Sequence, residues 1–354
     1  MLDAAGVAAS LGIAEGTNPW HWLKELEAIG QDELEPLELD RRQAARWLDL
    51  LRVPAEDAAV VLATLPSRDR EPAWWWCLER DVHRLLSNMG EPDAPRGRWP
   101  AFEGNQYDDA QRCHFIHVAL AVAPATLSYL SGLGIPEEIA FASMADLARH
   151  MAIHRRVHRS TGVEAAWWIT LCLRGELVEL GRLQYNRFTL GGAGSPLWYP
   201  ENEAIERGAG FRPGDSCLGI HIPEGSPLSP AAVQSSLEMA SDFFCRFFTV
   251  AQRRVATCMS WLLDEQLAEY LPAKSNIVAF QRRFETVPGS EEGDAQVLKF
   301  VFRAGPDADL SRLPQRSLLE QAAVAHLRAG RHWQVRTGWL DLPPAGTPPL
   351  PGEA

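Results

Sequence analysis

Residues 214–233, GDSCLGIHIPEGSPLSPAAV, decide the fold of this chain. The segment opens with a short apolar run, residues 216–223, which is typical of a strand. A loop follows over residues 224–229. Ser229 then stands where a helix N-cap belongs and Pro230 where the first helical residue belongs, so a helix is predicted to begin there. The face that this helix buries is expected to carry Val233, Leu237, Ala240, Phe244 and Phe247.

A strand that runs into a helix N-terminus is a potential anion site. The first N–H groups of a helix have no partner within the helix, and its dipole is positive at that end. Gly225 allows close backbone approach to a phosphate, whereas the carboxylate of Glu224 opposes one unless it points away. The loop is therefore either a pyrophosphate site or an ordinary connection between a strand and a helix.

The flanking sequence predicts further strands and helices. Residues 167–173 (WWITLCL) and 176–188 (ELVELGRLQYNRF) are expected to form a hairpin with a turn at Arg174 and Gly175. A loop-rich connection is expected over residues 191–213. Later strands are predicted at residues 255–263, 296–302 and 332–340, and helices from Asp264, over residues 275–284 and over residues 318–327.

The first part of the chain has helical periodicity. The predicted buried stripes are Ala44, Trp47, Leu48 and Leu51; Trp75, Leu78, Val82 and Leu85; and Met144, Leu147, Met151 and His154, the last with Ser143 as N-cap. Further helical runs cover residues 55–65 and 108–120, and Pro124 is expected to interrupt the chain. We predict a helical domain over residues 1–160, a second domain over 161–342 and a Pro-rich tail over 343–354.

Composition excludes several classes of protein. Hydrophobic residues make up 46% of the 354 residues and charged residues 23%, which is normal for a globular protein with a sizeable core. The net charge of -12 argues against nucleic-acid binding, which needs a basic surface. The N-terminus lacks the basic region and apolar run typical of a signal peptide, so none is expected; no apolar run is expected to cross a bilayer, and the six cysteines form no CxxC pair. We therefore expect a cytoplasmic protein that does not engage membranes.

The order of the elements, together with residues 175–188, 214–233 and 258–284, resembles a GNAT-like acyltransferase family. That family joins a helical N-terminal acyltransferase domain to a GNAT-like C-terminal domain. The resemblance extends over nearly the whole chain, including Leu133-Gly134-Ile135-Pro136 in the helical half. It implies an α+β fold with a mixed sheet flanked by helices, in which the strands at 216–223 and 255–263 are parallel and splay apart.

The resemblance also implies a donor, an acyl-coenzyme A thioester. Its pantetheine arm would lie between the splayed strands against the backbone around Ile220 and Ile222, with the pyrophosphate on the loop that holds Gly225, Ser226 and Ser229. The family loop is of the type Arg/Gln-x-x-Gly-x-Gly/Ala, whereas this chain has EGSPLS, whose proline lacks an N–H donor. Pyrophosphate binding would then need basic side chains from elsewhere. Asn276 is expected either to cap a helix or to contact the donor.

Acyl transfer to an amine needs a base, donors for the oxyanion and an acid for the departing thiolate. His221, at the end of the first splayed strand, is the candidate base, because histidine is the residue type whose ordinary pKa lies near neutrality; otherwise it is a histidine paired with a carbonyl. Tyr270, which follows the second strand, is the candidate acid by resemblance, or else a packed tyrosine. Arg182, Gln184 and Asn186 alternate along one strand, so they line the acceptor cleft or meet solvent.

Two other sets of reactive side chains are present. Cys258 lies in an apolar run, which favours an inert thiol over a nucleophile. His150, His154 and His158 recur every four residues, but positions i and i+8 of a helix lie about 12 Å apart, so all three cannot bind one ion. No metal site is therefore expected.

Three functional hypotheses follow. The first is an acyl-CoA-dependent N-acyltransferase that acts on a small-molecule or peptide amine. The second is a non-catalytic GNAT-fold module that senses a ligand or binds a protein. The third is a cysteine-dependent acyl transferase or hydrolase built on Cys258 and His221. The sequence does not identify the acceptor, the acyl chain length or the oligomeric state.

Overall fold

The computed structural model describes residues 2–191, 198, 212–248 and 255–346. The chain forms two compact units, which divide between Val178 and Glu179. The predicted boundary, between residues 160 and 161, lies before this division, because the sequence places the first strand of the second domain at residues 167–173. Most of the predicted loop at 191–213 and the tail from residue 347 lie outside the described residues.

The first unit is helical, as the sequence predicts. Its helices are α1 Ala4–Leu11, α2 Asn18–Glu27, α3 Arg41–Leu50, α4 Ala55–Ala63, α5 Pro72–Leu86, α6 Asp109–Gly132, α7 Glu137–Met144, α8 Asp146–His158 and α9 Ala166–Leu173. The three predicted stripes, on α3, on α5 and across α7 and α8, are all buried. Apolar residues at helical spacing therefore predicted correctly which faces of these helices form the core.

Helix α6 is the central element of the first unit, and it packs against α3, α4, α5, α7 and α9. The helix continues through Pro124, although we expected this proline to interrupt it. By length and composition α6 could cross a membrane, so the expectation that no apolar run is long enough was wrong. Because 67% of its most apolar stretch is buried among the other helices, α6 has the burial of a core helix.

Two local predictions in the first unit were wrong. Residues 167–173 form a helix, α9, rather than a strand; a short, continuous apolar run fits either element, and here packing against α6 decides. Ser143 lies inside α7 and its hydroxyl donates to the carbonyl of Ile139 at 2.7 Å, so it does not cap α8. Helix α8 begins at Asp146 instead.

The three histidines of α8 form hydrogen bonds with the loop that follows the helix. His154 Nδ1 lies 3.0 Å from the carbonyl oxygen of Ser160, and His150 Nδ1 lies 2.8 Å from that of Glu164. His158 Nε2 lies 2.8 Å from the Glu164 carboxylate. The four-residue spacing therefore serves to fold the loop back along the helix.

The second unit is a mixed sheet with helices. Its strands are β1 Leu177–Leu180, β2 Leu183–Thr189, β3 Ser216–His221, β4 Val255–Ser260, β5 Glu285–Thr286, β6 Glu291–Glu292 and β7 Gln334–Asp341. Their order is β1-β2-β3-β4-β7-β5, and β6 also pairs with β7. The helices are α10 Pro230–Phe247, α11 Asn276–Gln281, α12 Asp294–Val297 and α13 Leu318–Arg328.

The hairpin lies within residues 177–189 rather than starting at residue 167. Gly181 and Arg182 make the turn between β1 and β2, and Gly181 has φ of 70°, a conformation that a glycine adopts without strain. The turn predicted at Arg174 and Gly175 therefore joins a helix to a strand instead.

Residues 296–302 are helical, not a strand. They extend α12 into a π-helical turn, Leu298–Phe302. Strand β7 is paired with β4 on one side and with β5 and β6 on the other. Both of its edges are thus occupied, and a further strand at residues 296–302 would have no partner there.

Strands β3 and β4 are parallel, and their pairing is short. It joins Leu218 to Ala256 and Gly219 to Thr257. Beyond that point, Ile220 and His221 pair with β2 only, while the end of β4 pairs with β7. Within the described residues of the two strands, the pairing thus stops before the end of β3, which agrees with the implied splay.

Ser236 of α10 ties the helix to the β1–β2 hairpin. Its hydroxyl lies 2.9 Å from the hydroxyl of Tyr185, accepts the N–H of Leu183 at 3.1 Å and donates to the carbonyl of Leu180. Ser236 is fully buried, whereas its neighbour Ser235 is exposed. One hydroxyl therefore satisfies polar groups of both strands and of a buried phenol.

Replacing Ser236 is expected to destabilise the second unit. Ser236→Ala leaves the Leu183 N–H and the Tyr185 hydroxyl without this partner inside the protein, which should cost about 1–3 kcal/mol of unfolding free energy in urea denaturation. Ser235→Ala is the matched control and should change it by less than about 0.5 kcal/mol. Equal losses in the two variants would contradict the assignment.

Candidate active site at the end of β3

The register of β2 and β3 places four polar or small residues on one face of the sheet. Gln184 lies opposite His221, and Asn186 lies opposite Gly219. Residues directly opposite each other, or two apart on a strand, share a face. We call this side the His221 face. The other side is the α10 face, where Tyr185 contacts Ser236.

His221 is bonded to Asn186 across the two strands. Its Nε2 lies 2.7 Å from Asn186 Oδ1, and the Asn186 amide donates to the carbonyl of Arg187 at 3.1 Å. These two contacts orient the amide, because only the oxygen accepts and only the nitrogen donates. Asn186 is 5% exposed, whereas His221 is half-buried. A buried amide therefore holds an imidazole that reaches toward the surface.

Gly219 makes room for this hydrogen bond. A Cβ atom at position 219 would lie 2.3 Å from Asn186 Oδ1 and 3.1 Å from His221 Nε2. The first distance is far inside van der Waals contact, so any side chain at this position displaces the amide. Sequence reasoning missed Gly219, since it reads only as one small residue in an apolar strand.

The polar stripe of β2 does not face solvent. Gln184 is 2% exposed, and its Nε2 donates to the Glu179 carboxylate at 3.1 Å. Arg182 is half-buried, and its Nη1 donates to the carbonyl of Pro223 at 3.1 Å. Of the two predicted roles for this stripe, exposure to solvent is therefore wrong.

All of the predicted coenzyme A residues except Asn276 lie at the end of β3 or in the loop that follows it. Ile220 is buried on the α10 face, Ile222 is half-buried just after the strand, and Gly225 and Ser226 are exposed. Ser229 caps α10 and accepts the N–H of Ala232 at 3.3 Å, as the sequence predicts. That contact takes one N–H, and Pro230 has none to offer, so the first turn of α10 keeps few donors for an anion.

Three arginines lie against the loop between β3 and α10. Arg303 forms an ion pair with Glu224, which neutralises the one acidic group of the loop. Arg283 Nη2 donates to the carbonyl of Pro230 at 3.0 Å, at the start of α10. With Arg182 at Pro223, three guanidinium groups contact the loop between the strand and the helix. The sequence predicted that basic side chains from elsewhere would be needed at this loop, and these three arginines lie against it.

Tyr270 and Asn276 lie in the segment that follows β4. The Tyr270 hydroxyl lies 3.1 Å from His326 Nδ1 and 3.5 Å from Arg331 Nη1, whereas His221 is bonded to Asn186. The two candidate catalytic residues thus have different partners. Asn276 is the first residue of α11 and is half-buried, and it is Ser275 that caps this helix. Capping is therefore not the role of Asn276.

Cys258 and His221 do not form a catalytic pair. Ala256 lies beside Leu218 in the sheet, so Cys258 lies on the α10 face with Ile220, opposite to the face of His221. Burial raises the pKa of the Cys258 thiol to about 12, which keeps it protonated and a poor nucleophile. The cysteine-dependent hypothesis fails on both counts.

One group of side chains in the first unit has the composition of a metal site. Ligand atoms of Glu103, His158 and Glu164 all lie within 4.8 Å of one another. His158 is bonded to the Glu164 carboxylate, and Glu103 accepts the N–H of Ala165 at 2.9 Å. These contacts hold the loop after α8, and they account for the group as a structural clamp.

The fold and sequence match known acyltransferases. Residues 42–175 match the N-acyltransferase N-terminal domain family, and residues 177–340 match the GNAT-like C-terminal domain family. A crystal structure of an acyltransferase in complex with decanoyl-CoA and teicoplanin is 37% identical, with a TM-score of 0.83, and the similarity covers 97% of this chain and 100% of that chain. The search of curated proteins gave no match.

Two further crystal structures have the same identity, coverage and TM-score. One is an acyltransferase in complex with CoA and 10C-teicoplanin. The other is a mutant acyltransferase in complex with octanoyl-CoA.

Thiol labelling checks the assignment of Cys258. Iodoacetamide at about pH 8 is expected to modify exposed Cys245 in the folded protein and to leave Cys258 unmodified, because the buried thiol stays protonated. Peptide mass spectrometry reads both sites in one sample, so Cys245 serves as the internal control. Cys258→Ala should retain acyl transfer; rapid labelling of Cys258 together with loss of activity would reverse the conclusion.

Proposed function

The chain belongs to the acyltransferases that join an N-acyltransferase N-terminal domain to a GNAT-like C-terminal domain, and we propose that it transfers a fatty acyl group of octanoyl to decanoyl length to a primary amine of a glycopeptide. It is an acyl-CoA-dependent N-acyltransferase. The observation that carries the donor and the acceptor is the likeness, over 97% of this chain, to an acyltransferase solved with decanoyl-CoA and teicoplanin.

The end of β3 supports a donor site. Pairing between β3 and β4 stops at Gly219 and Thr257, so within the described residues the end of β3 has no paired strand on its β4 side. The pantetheine arm of coenzyme A is an amide chain that pairs with the backbone of a strand edge. We assign the pyrophosphate to the loop after β3, with Arg283 and Arg303 supplying positive charge.

His221 is the proposed base. The acceptor nitrogen attacks the thioester carbonyl, His221 takes the proton that the nitrogen loses, and the C–S bond breaks to release coenzyme A as a thiolate. The imidazolium then returns its proton to that thiolate, which yields the amide and the free thiol. Tyr270 stays a candidate acid for the same thiolate, with Arg331 beside its hydroxyl to stabilise the phenolate.

The location that we propose is the cytoplasm. All six cysteines are free thiols, and none forms a disulfide. Reduced cysteines are usual in that compartment.

Product formation tests the function directly. Purified protein, decanoyl-CoA and deacylated glycopeptide should give a product heavier by one decanoyl group, and His221→Ala should lower kcat by about 10²–10⁴-fold, because proton transfer is lost. Tyr270→Phe run in parallel separates the two candidate residues. Thermal shift with decanoyl-CoA and with free coenzyme A reports donor binding independently of the acceptor. Binding without product would overturn the proposed acceptor, and absence of binding would overturn the donor site.

Substitution of Glu224 tests whether the loop after β3 binds the phosphates of coenzyme A. Glu224→Gln removes a negative charge and releases Arg303, so coenzyme A should bind about three- to ten-fold more tightly by calorimetry. Arg303→Ala should weaken binding, and Glu285→Gln, at an exposed position of β5, should leave it unchanged. Weaker binding by Glu224→Gln would place the phosphates elsewhere.

A further inference from the structure

We propose that the acyl chain of the donor packs against Met259, and that this contact makes the protein prefer long acyl groups over short ones. The inference rests on the proposed function, because it takes a fatty acyl-CoA as the donor. Met259 lies on β4, the strand that faces β3 across the opening in the sheet. Three observations support the proposal: the position of Met259, its exposure and the polarity of its neighbours.

Met259 lies beside the point where the two central strands separate. The last pair between β3 and β4 in the described residues is Gly219 with Thr257. Positions advance together along parallel strands, so His221 and Met259, each two residues further on, stand at the same level. Side chains two residues apart share a face, so Met259 projects from the His221 face of the sheet. The candidate base and this thioether therefore border the opening from its two sides.

Met259 is exposed on a strand that is otherwise buried. Strand β4 pairs with β7 along its whole length, and residues 255–258 are at most 6% exposed. Met259 is 46% exposed, so exposure begins just after β4 loses β3 as its neighbour. The other exposed large apolar side chains described in the second unit lie on helical elements, Phe300 in the π-helical turn and Leu318 in α13. Met259 is the one that lies in the sheet.

The side chains in the same row of the sheet are polar. Gln184 lies opposite His221, and Thr337 of β7 lies opposite Met259. Across four strands the row is Gln184, His221, Met259 and Thr337. A fatty acyl chain needs apolar surface, because each methylene group removed from water tightens binding about four-fold. Within this row of described residues, Met259 is the side chain that supplies such a surface.

The level of Met259 corresponds to the reacting end of the donor. Because His221 is the proposed base, the thioester carbonyl must lie near it for the acceptor nitrogen to attack. The acyl chain begins at that carbonyl, whereas the phosphates are assigned to the loop after β3. An unbranched thioether adapts its shape to a flexible chain. Met259 is therefore assigned to the acyl chain and not to the nucleotide end of coenzyme A.

Calorimetry with acetyl-CoA and decanoyl-CoA tests this contact without an acceptor. The two donors differ only in the acyl chain, so the ratio of their dissociation constants isolates the chain. Wild-type protein should bind decanoyl-CoA at least about ten-fold more tightly, and Met259→Ser should reduce this ratio about three- to ten-fold. Met259→Leu should keep the ratio near that of the wild type. Leu318→Ser, at a 56% exposed position of α13, is the matched control and should leave the ratio unchanged.

Two outcomes of the calorimetry overturn the proposal. Equal weakening of both donors by Met259→Ser would show that the side chain contacts pantetheine or supports the fold. An unchanged ratio in Met259→Ser would show that the chain packs elsewhere. Thermal unfolding of each variant without ligand accompanies the titrations, and a melting temperature equal to that of the wild type excludes loss of structure as the cause.

Methionine oxidation reports the contact without a substitution. Hydrogen peroxide converts accessible methionine to its sulfoxide, and peptide mass spectrometry measures each site separately. Decanoyl-CoA should slow the oxidation of Met259 about five-fold or more, and acetyl-CoA should slow it much less, because a buried thioether is shielded from the oxidant. Half-buried Met89 of the first unit is the internal control. Equal protection of Met259 by the two donors would contradict an acyl-chain contact.

Product formation separates this inference from the proposed function. If the binding ratio falls in Met259→Ser but no decanoyl product forms with the glycopeptide, the proposed acceptor fails and the role of Met259 stands. If decanoyl product forms but wild-type protein binds the two donors equally, the role of Met259 fails and the proposed function stands. If neither donor binds, both fail.

Discussion

The parallel pairing of β3 with β4 covers two residue positions, and the donor site that we propose depends on that limit. Each strand is paired on its outer side, β3 with β2 and β4 with β7, so the sheet remains continuous while its centre opens. In the proposed donor site, the pantetheine arm, which has its own amide groups, lies along this opening. His221 is the last residue of β3, just before the loop to which we assign the pyrophosphate.

The two faces of the sheet carry titratable groups of different accessibility. On the α10 face, Ser236 and Tyr185 satisfy each other, and burial raises the pKa of both the Tyr185 phenol and the Cys258 thiol, so neither ionises. On the His221 face, the buried amide of Asn186 contacts a half-buried imidazole. We therefore place the proposed chemistry on the second face, where a titratable group is both oriented and partly accessible.

Local sequence patterns predicted the secondary structure correctly where the pattern fits only one kind of element. The strand, loop, N-cap and helix of residues 216–247 formed as predicted, since Ser229 and Pro230 are followed by apolar residues at helical spacing. Two apolar runs, at residues 167–173 and 296–302, became helical instead of extended. Periodicity does not separate a short buried strand from a short buried helix, and in each case the available partners decided.

From the order of residues alone, the two-part organisation, the strand-to-helix connection and the candidate His221 could be predicted. The proline in the loop after β3 also predicted a need for basic side chains from elsewhere, if that loop binds a pyrophosphate. The three-dimensional contacts were needed to show which arginines lie against this loop, which face Cys258 occupies and why residue 219 is glycine. These features depend on strand register and on contacts between distant segments, and neither is encoded in the spacing of residues along one strand.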